Sequence, residues 1–368
     1  MALPGGKTEG TNMSTAASFR KEEAEQEQQR RDETRQLGEE QRQEEGDQGE
    51  RERRAKMKRQ RQIVGGVVSA FAAGAGLAMQ ASMNGALSEP LDSGLAATMF
   101  SFVAGNGALL LAFPFSFGLK KKKVEGTVHW WMWLIGGVIG AFYVTMGTFL
   151  GPRLGFSLFF VCVVTGQLLT SLLVDHVGFM GIPETAATKW RIGCLLTVLA
   201  GSIMAVVERL EVSDTEPGLL IGYIVLSVMA GVGVTAQAPI NNAFTRRFGT
   251  LPHRTALLSF SFGGLLVTSL WAISVGVEGG TNFEFEETEF WMFLGGIIGA
   301  LYVFASIALA HKLGVALFFI SVVAGQLSMS LLIDTLGLFR SDKVDITGLR
   351  VGGILLVFVG AASFRLRR

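Results

Sequence analysis

Beyond about residue 63 the chain consists of long apolar runs separated by short polar or charged clusters. A helix rises about 1.5 Å per residue, so about 20 apolar residues cross a hydrocarbon core of roughly 30 Å. About ten such runs can be read. They lie near Ile63 to Met83, Gly94 to Gly118, Trp130 to Leu150, Gly155 to Val174, Ile192 to Val207, Gly218 to Gln237, Thr255 to Val275, Phe290 to Ala310, Gly314 to Ile333 and Val351 to Phe364, the fifth and last being short. None keeps the polar stripe that a soluble helix turns toward water. The pattern predicts an all-α membrane protein of about ten transmembrane helices.

The segment ahead of the runs is of the opposite kind. Residues 1–62 are rich in Glu, Gln and Arg and nearly free of apolar side chains after Phe19. Such a stretch cannot bury enough surface to offset its ordering entropy, and is expected to be a disordered tail or a transient solvated helix. It ends in Arg51, Arg53, Arg54, Lys56, Lys58, Arg59 and Arg61. A basic segment directly before a span reads as cytoplasmic, with anionic lipid headgroups as its expected partner. The net charge of only +1 gives no global field for nucleic acid, and none is expected as a partner.

If the tail is cytoplasmic and every run spans, the basic clusters share its side: Lys120 to Lys123, Lys189 with Arg191, Arg246, Arg247 and Arg254, Lys312, and Arg365, Arg367 and Arg368. The acidic loops fall opposite: Glu208, Glu211, Asp214 and Glu216, then Glu278, Glu284, Glu286, Glu287 and Glu289. Both termini are therefore expected to be cytoplasmic. A plasma membrane and an internal membrane are equally compatible with the tail.

The most specific feature is internal repetition. Gly136 to Gly178 aligns without a gap to Gly295 to Gly337, with roughly half the positions identical. The first copy contains GGVIGAFYV and RLGFSLFFVCVVTGQLLTSLLVDHVG; the second contains GGIIGALYV and KLGVALFFISVVAGQLSMSLLIDTLG. Matches continue outside this block: Gln80 and Asn84 with Gln237 and Asn241; Phe100, Ser101 and Phe102 with Phe260, Ser261 and Phe262; Arg191 and Gly193 with Arg350 and Gly352. An odd number of spans per copy, about five, makes the second copy enter the membrane in the opposite sense, an inverted repeat of the transporter kind. The expected organisation is a tail over 1–62, one five-helix repeat over 63–208 and a second over 209–368.

The paired Gln-x-x-x-Asn, the GGxxGAxYV segment and the G-Q-L-x-x-S-L-L-[VI]-D-x-x-G segment resemble the YdcZ-type exporters of the drug/metabolite transporter superfamily. The resemblance covers both halves and leaves out the charged tail. It implies a ten-helix inverted-repeat fold and small-molecule export, in a form that fuses two single five-helix units.

Polar side chains inside a membrane tend to face a bundle interior or a water-filled cavity. Gln80 and Asn84 share one helix face, as do Gln237 and Asn241, with Pro239 suggesting a local break between the latter two. These four, with Gln167 and Gln326 of the repeated Gly-Gln-Leu, are candidates for a substrate path; interhelical hydrogen-bond glue accounts for them equally well. Tyr143 and Tyr302 occupy matching positions and could contact a ligand or only pack. Asp175 and Asp334 end the fourth and ninth runs, and Arg191 and Arg350 follow at equal spacing. Each Asp and Arg pair could form a gate latch, couple protons, or anchor a helix end by snorkelling. Trp130, Trp131, Trp133 and Trp291 begin spans, as interfacial belt residues do. Gly136 with Gly140 and Gly295 with Gly299 form small-xxx-small sets suited to close helix packing.

Other chemistry is scarce. His129, His176, His253 and His311 have no metal spacing, Cys162 and Cys194 sit inside apolar runs as small hydrophobes, and no nucleophile is grouped with a base. No catalytic site, metal or cofactor is expected. The reading is a multi-pass transporter, an exporter of small metabolites or drugs working by alternating access, with a non-transporting scaffold or receptor as the alternative. Its expected partners are a small-molecule substrate and the bilayer, and a homodimer is compatible with it.

Overall fold

The computed structural model describes residues 10–114, 124, 126–204, 216–278, 280, 283–341, 343, 345 and 347–364. The Lys120 to Lys123 block, the acidic stretch Glu208, Glu211 and Asp214, and the terminal Arg365, Arg367 and Arg368 lie outside these residues. Among the described residues ten α-helices follow in chain order: α1 Gly10–Ser88, α2 Gly94–Ala112, α3 Ile135–Leu154, α4 Phe156–Val177, α5 Lys189–Met204, α6 Pro217–Arg247, α7 Pro252–Glu278, α8 Gly295–Leu313, α9 Val315–Leu336 and α10 Gly348–Ser363. Short 3-10 turns precede α3 and α8 and follow α4 and α9. No strand occurs among the described residues.

The chain divides into two units, Met1–Ile63 and Val64–Arg368. In the first, the helix begins at Gly10 and every described side chain between Gln48 and Gln62 is exposed, the form of a solvated helix. Arg54 donates to Glu50 one turn earlier at 2.6 Å, an exposed pair of the kind that contributes little.

The second unit is the membrane body. Eight helices are long and apolar enough to cross a bilayer among the described residues. The expected fifth and tenth spans are α5 and α10, each of 16 described residues, or about 24 Å of helix. The outward faces carry Leu111, Leu169, Leu173, Ile221, Leu265, Ile273, Leu301 and Leu355, all well exposed. Large apolar side chains spread over so much surface are what lipid tails require.

Local chemistry sets the helix limits. The Ser93 hydroxyl accepts from Ala96 N at the start of α2, and the Thr347 hydroxyl accepts from Arg350 N at the start of α10. Pro217 begins α6 and Pro252 begins α7, where a missing N–H costs nothing. Gly178 and Gly337 end α4 and α9 in the left-handed region, at φ 63° and 64°, which only glycine adopts without strain. The break expected at Pro239 does not occur: α6 runs through it. Proline removes one ladder hydrogen bond, and inside a membrane bundle neighbouring helices can satisfy the freed group without ending the helix.

The two repeats interlock into one unit. α4 and α9 lie at its centre, 72% and 78% buried over their apolar windows, against 28% for α6 and α7. They run antiparallel in contact, since the Ser157 hydroxyl at the start of α4 donates to Asp334 at the end of α9, while Asp175 at the end of α4 meets Val315 at the start of α9. Equivalent helices packed antiparallel are related by a two-fold axis perpendicular to them, so the repeat is inverted. α1 and α6 each cross an inner helix of the opposite half at glycine. A Cβ added at Gly74 would fall on the Val322 carbonyl and one at Gly325 on the Phe71 carbonyl; Gly231 with Val163 and Gly166 with Val228 repeat the arrangement. Without a hydrophobic drive between helices in lipid, such backbone approach supplies the packing. α5 and α10 pair in the same way through Gly201 and Gly360.

The register of one match needs correcting. Gly105 of α2 lies against Phe260 and the Gly296 carbonyl, and Gly263 of α7 lies against Phe102 and the Gly137 carbonyl. Phe102 is therefore the mate of Phe260, and not of Phe262 as the shared Phe-Ser-Phe suggests. Phe100 packs instead with Phe283, Phe285 and Phe293, so the string recurs out of step with the contacts.

Candidate substrate cavity

Gln80 and Gln237 come from α1 and α6, the two crossing helices, and their amides turn inward because glycine stands opposite. An added Cβ on Gly299 would fall on the Gln80 amide, and one on Gly140 would stand 2.9 Å from Gln237 Nε2. Helices α3 and α8 thus leave room for the glutamines, and their Tyr143 and Tyr302 sit one turn away from these glycines. All four side chains line one cavity. Phe102 and Phe260 close it from α2 and α7, their ring centroids 5.0 Å apart. In this closed conformation it has room for roughly one or two waters.

A smaller adjoining cavity shares Leu77, Gln80 and Tyr143 with the first and adds Asn84. Of the expected path residues, Gln80, Asn84, Tyr143, Gln237 and Tyr302 therefore meet around connected space. Asn241 is buried against Gly136 and lines neither cavity. Gln167 and Gln326 are fully buried within α4 and α9, where Gln326 Nε2 donates to the Tyr143 hydroxyl at 3.3 Å. Gln326 thus stands behind the cavity wall, and Gln167 lines neither cavity.

Hydrogen bonding is uneven across the pseudo-axis. Gln237 Nε2 donates to the Gly136 carbonyl at 2.6 Å. Its mate Gln80 Nε2, both amide atoms of Asn84 and the Tyr302 hydroxyl have no partner among the described residues, though all three residues are at most 3% exposed. Buried polar groups are rarely left so. Interhelical glue accounts for Gln237 and for the Gln326 amide nitrogen; it leaves Gln80, Asn84 and Tyr302 unexplained at the cavities, and Gln167 and Asn241 Nδ2 away from them.

Each end of the α4 and α9 pair carries a buried carboxylate. Asp175 accepts from Arg191 at 2.7 Å and from the backbone N–H groups of Val315 and Ala316 at 2.9 and 3.2 Å. It thus ties its own half to the first turn of α9, where the unpaired N–H groups and the helix dipole favour a negative charge. Arg191 also donates to the Thr185 carbonyl at 3.0 Å and lies over the Phe364 ring at 4.8 Å. At the mirror position Asp334 accepts from Ser157, and Arg350, 2% exposed, donates to the Asp345 carbonyl at 3.4 Å. Asp175 is 2% exposed, so snorkelling to a headgroup does not describe it.

Sequence reasoning missed Phe102 and Phe260 as lining residues and read Gly140 and Gly299 as packing alone. The glycines carried a usable signal, since each faces the glutamine that matters. The phenylalanines carried none, because apolar residues fill every helix.

The model of the family described as "Putative inner membrane exporter, YdcZ" matches twice, over residues 66–204 and 222–363. The chain belongs to the YdcZ exporter family. Its two matches coincide with the two repeats, so it carries the YdcZ unit twice. Inner membrane protein YdcZ of Escherichia coli (strain K12) is 29% identical over 136 residues, which are 36% of this chain and 88% of that protein. A solved crystal structure superposes with a TM-score of 0.52 at 19% identity, covering 83% of this chain and 96% of the other, a likeness of fold. Family and helices together make the protein a multi-pass membrane transporter of YdcZ type.

Proposed function

We propose that the protein exports a small metabolite or drug by alternating access. The observation that carries this reading is a central cavity lined by the same residue types from two inverted halves, Gln80 with Gln237 and Tyr143 with Tyr302. Two halves that can exchange conformations open such a cavity to one side and then to the other. The buried carboxylates lie at opposite ends of the α4 and α9 pair and support a role as latches. Releasing Asp175 from α9 frees one end, and releasing Asp334 from α4 frees the other. In the described conformation the cavity is closed.

The basic tail, Lys189, Arg246, Arg247 and Lys312 support a reading with both termini on the cytoplasmic side and anionic lipids at the tail. Reporter fusions at the two termini are expected to respond alike, and opposite responses would overturn the inverted topology. Purified protein in liposomes is expected to move a small solute down its gradient. Absence of flux for every solute shown to bind would leave a receptor or scaffold.

A further inference from the structure

The cavity's lining has one property that narrows its ligand. Among the described residues around the two connected cavities no Asp, Glu, Lys, Arg or His occurs. The wall includes the Phe102, Phe260, Tyr143 and Tyr302 rings, and the polar side chains are amides, phenols and the Ser259 hydroxyl. The buried Asp175 and Arg191 are committed to each other and to α9, Asp334 accepts from Ser157, and none of them lines either cavity. An ionic ligand would lose its hydration here and find no counter-charge. A wholly apolar ligand would leave Gln80, Asn84 and Tyr302 as unmet as they are now.

We propose that the site takes an uncharged small molecule with a planar apolar body and a carboxamide or carbonyl group, the body lying among the four rings and the polar group meeting Gln80, Asn84 and Tyr302. A carbonyl oxygen accepts from Gln80 Nε2 or Asn84 Nδ2, and a carboxamide N–H donates to Asn84 Oδ1, which stands unpartnered. Four rings attract a quaternary ammonium through their faces. Such a cation accepts no hydrogen bond, however, and would sit beside the positive ends of the unpaired amide donors. This inference deepens the transport reading and rests on the cavity being the substrate site.

The test uses the detergent-solubilised full chain and three probes of one shape: nicotinamide, nicotinate and 1-methylnicotinamide, which are neutral, anionic and cationic. Benzamide and benzoate form a second pair. The neutral members are expected to raise the melting temperature by mass action, with affinities at least about tenfold above their charged partners. Gln80→Leu is expected to lose that binding. Gln80→Glu places a carboxylate in the cavity and is expected to shift preference to the 1-methylnicotinamide cation. The proposal is overturned if charged probes bind as well as neutral ones, if no neutral probe stabilises the protein, or if Gln80→Glu, still folded, leaves the order unchanged. Binding of neutral probes without liposome flux would remove the transport reading and leave the ligand class standing.

Discussion

The sharpest test of the architecture is Asp175→Asn. The carboxylate holds a buried guanidinium and caps the first turn of a helix from the other repeat. Asparagine keeps the shape and one acceptor oxygen, so part of the cap survives. The charge does not, and Arg191, 7% exposed, is left without its anion. Breaking one side of a buried pair costs about 3–5 kcal/mol, and loss of the favourable charge at the α9 N-terminus adds about 0.3–1 kcal/mol. The cationic Arg191 keeps its carbonyl partners and the Phe364 ring, which favours the lower end of that range. The double variant D175N/R191M removes the orphaned charge and should recover most of the loss, since a pair replaced by apolar groups is often near neutral. Denaturation of the purified protein in detergent reads both variants. If the double variant loses the sum of the two single losses, with no coupling energy, Asp175 and Arg191 do not act as the buried pair argued here. In liposomes, D175N and D334N should change flux in opposite directional senses, because they loosen opposite ends.

Other outcomes follow from particular contacts. Gly74→Ala drives a Cβ into the Val322 carbonyl, and should cost about 1–3 kcal/mol or more in the same denaturation assay. Gly193→Ala meets no atom within 4 Å, and should be neutral or stabilise by about 0.5–1 kcal/mol as an ordinary helical replacement. Cys162 and Cys194 are free and buried, so a maleimide should label neither until the protein is unfolded, and rapid labelling of the native protein would contradict the packing of α4 and α5. Glu289, in the loop before α8, is held below the ordinary carboxylate range by the Trp291 indole N–H at 2.8 Å and by Arg340 at 3.1 Å. Its folded-state value is lowered, so this contact is fully present above the ordinary glutamate range and is lost as pH falls through the lowered value. Tryptophan emission should shift over that acidic window in the native protein and not in Glu289→Gln.

Much of this molecule was determined by its sequence alone. Apolar runs of membrane-spanning length define helices wherever a hydrocarbon solvent demands internal hydrogen bonding, and the gap-free repetition from Gly136 to Gly178 and Gly295 to Gly337 implied two equivalent units. The pairing of Gln80 with Gln237 and of Tyr143 with Tyr302 was legible for the same reason, because polar residues are conspicuous against an apolar background. Partnership across the halves was not legible. That Asp175 caps α9, that α1 crosses α9 while α6 crosses α4, and that Phe102 stands opposite Phe260 depend on which backbones approach one another. A single sequence records how apolar each position is, and in a membrane protein inward and outward positions are both apolar. Only the packing at Gly74, Gly231, Gly166 and Gly325 decides which helices meet, and so which few polar groups come to share one cavity.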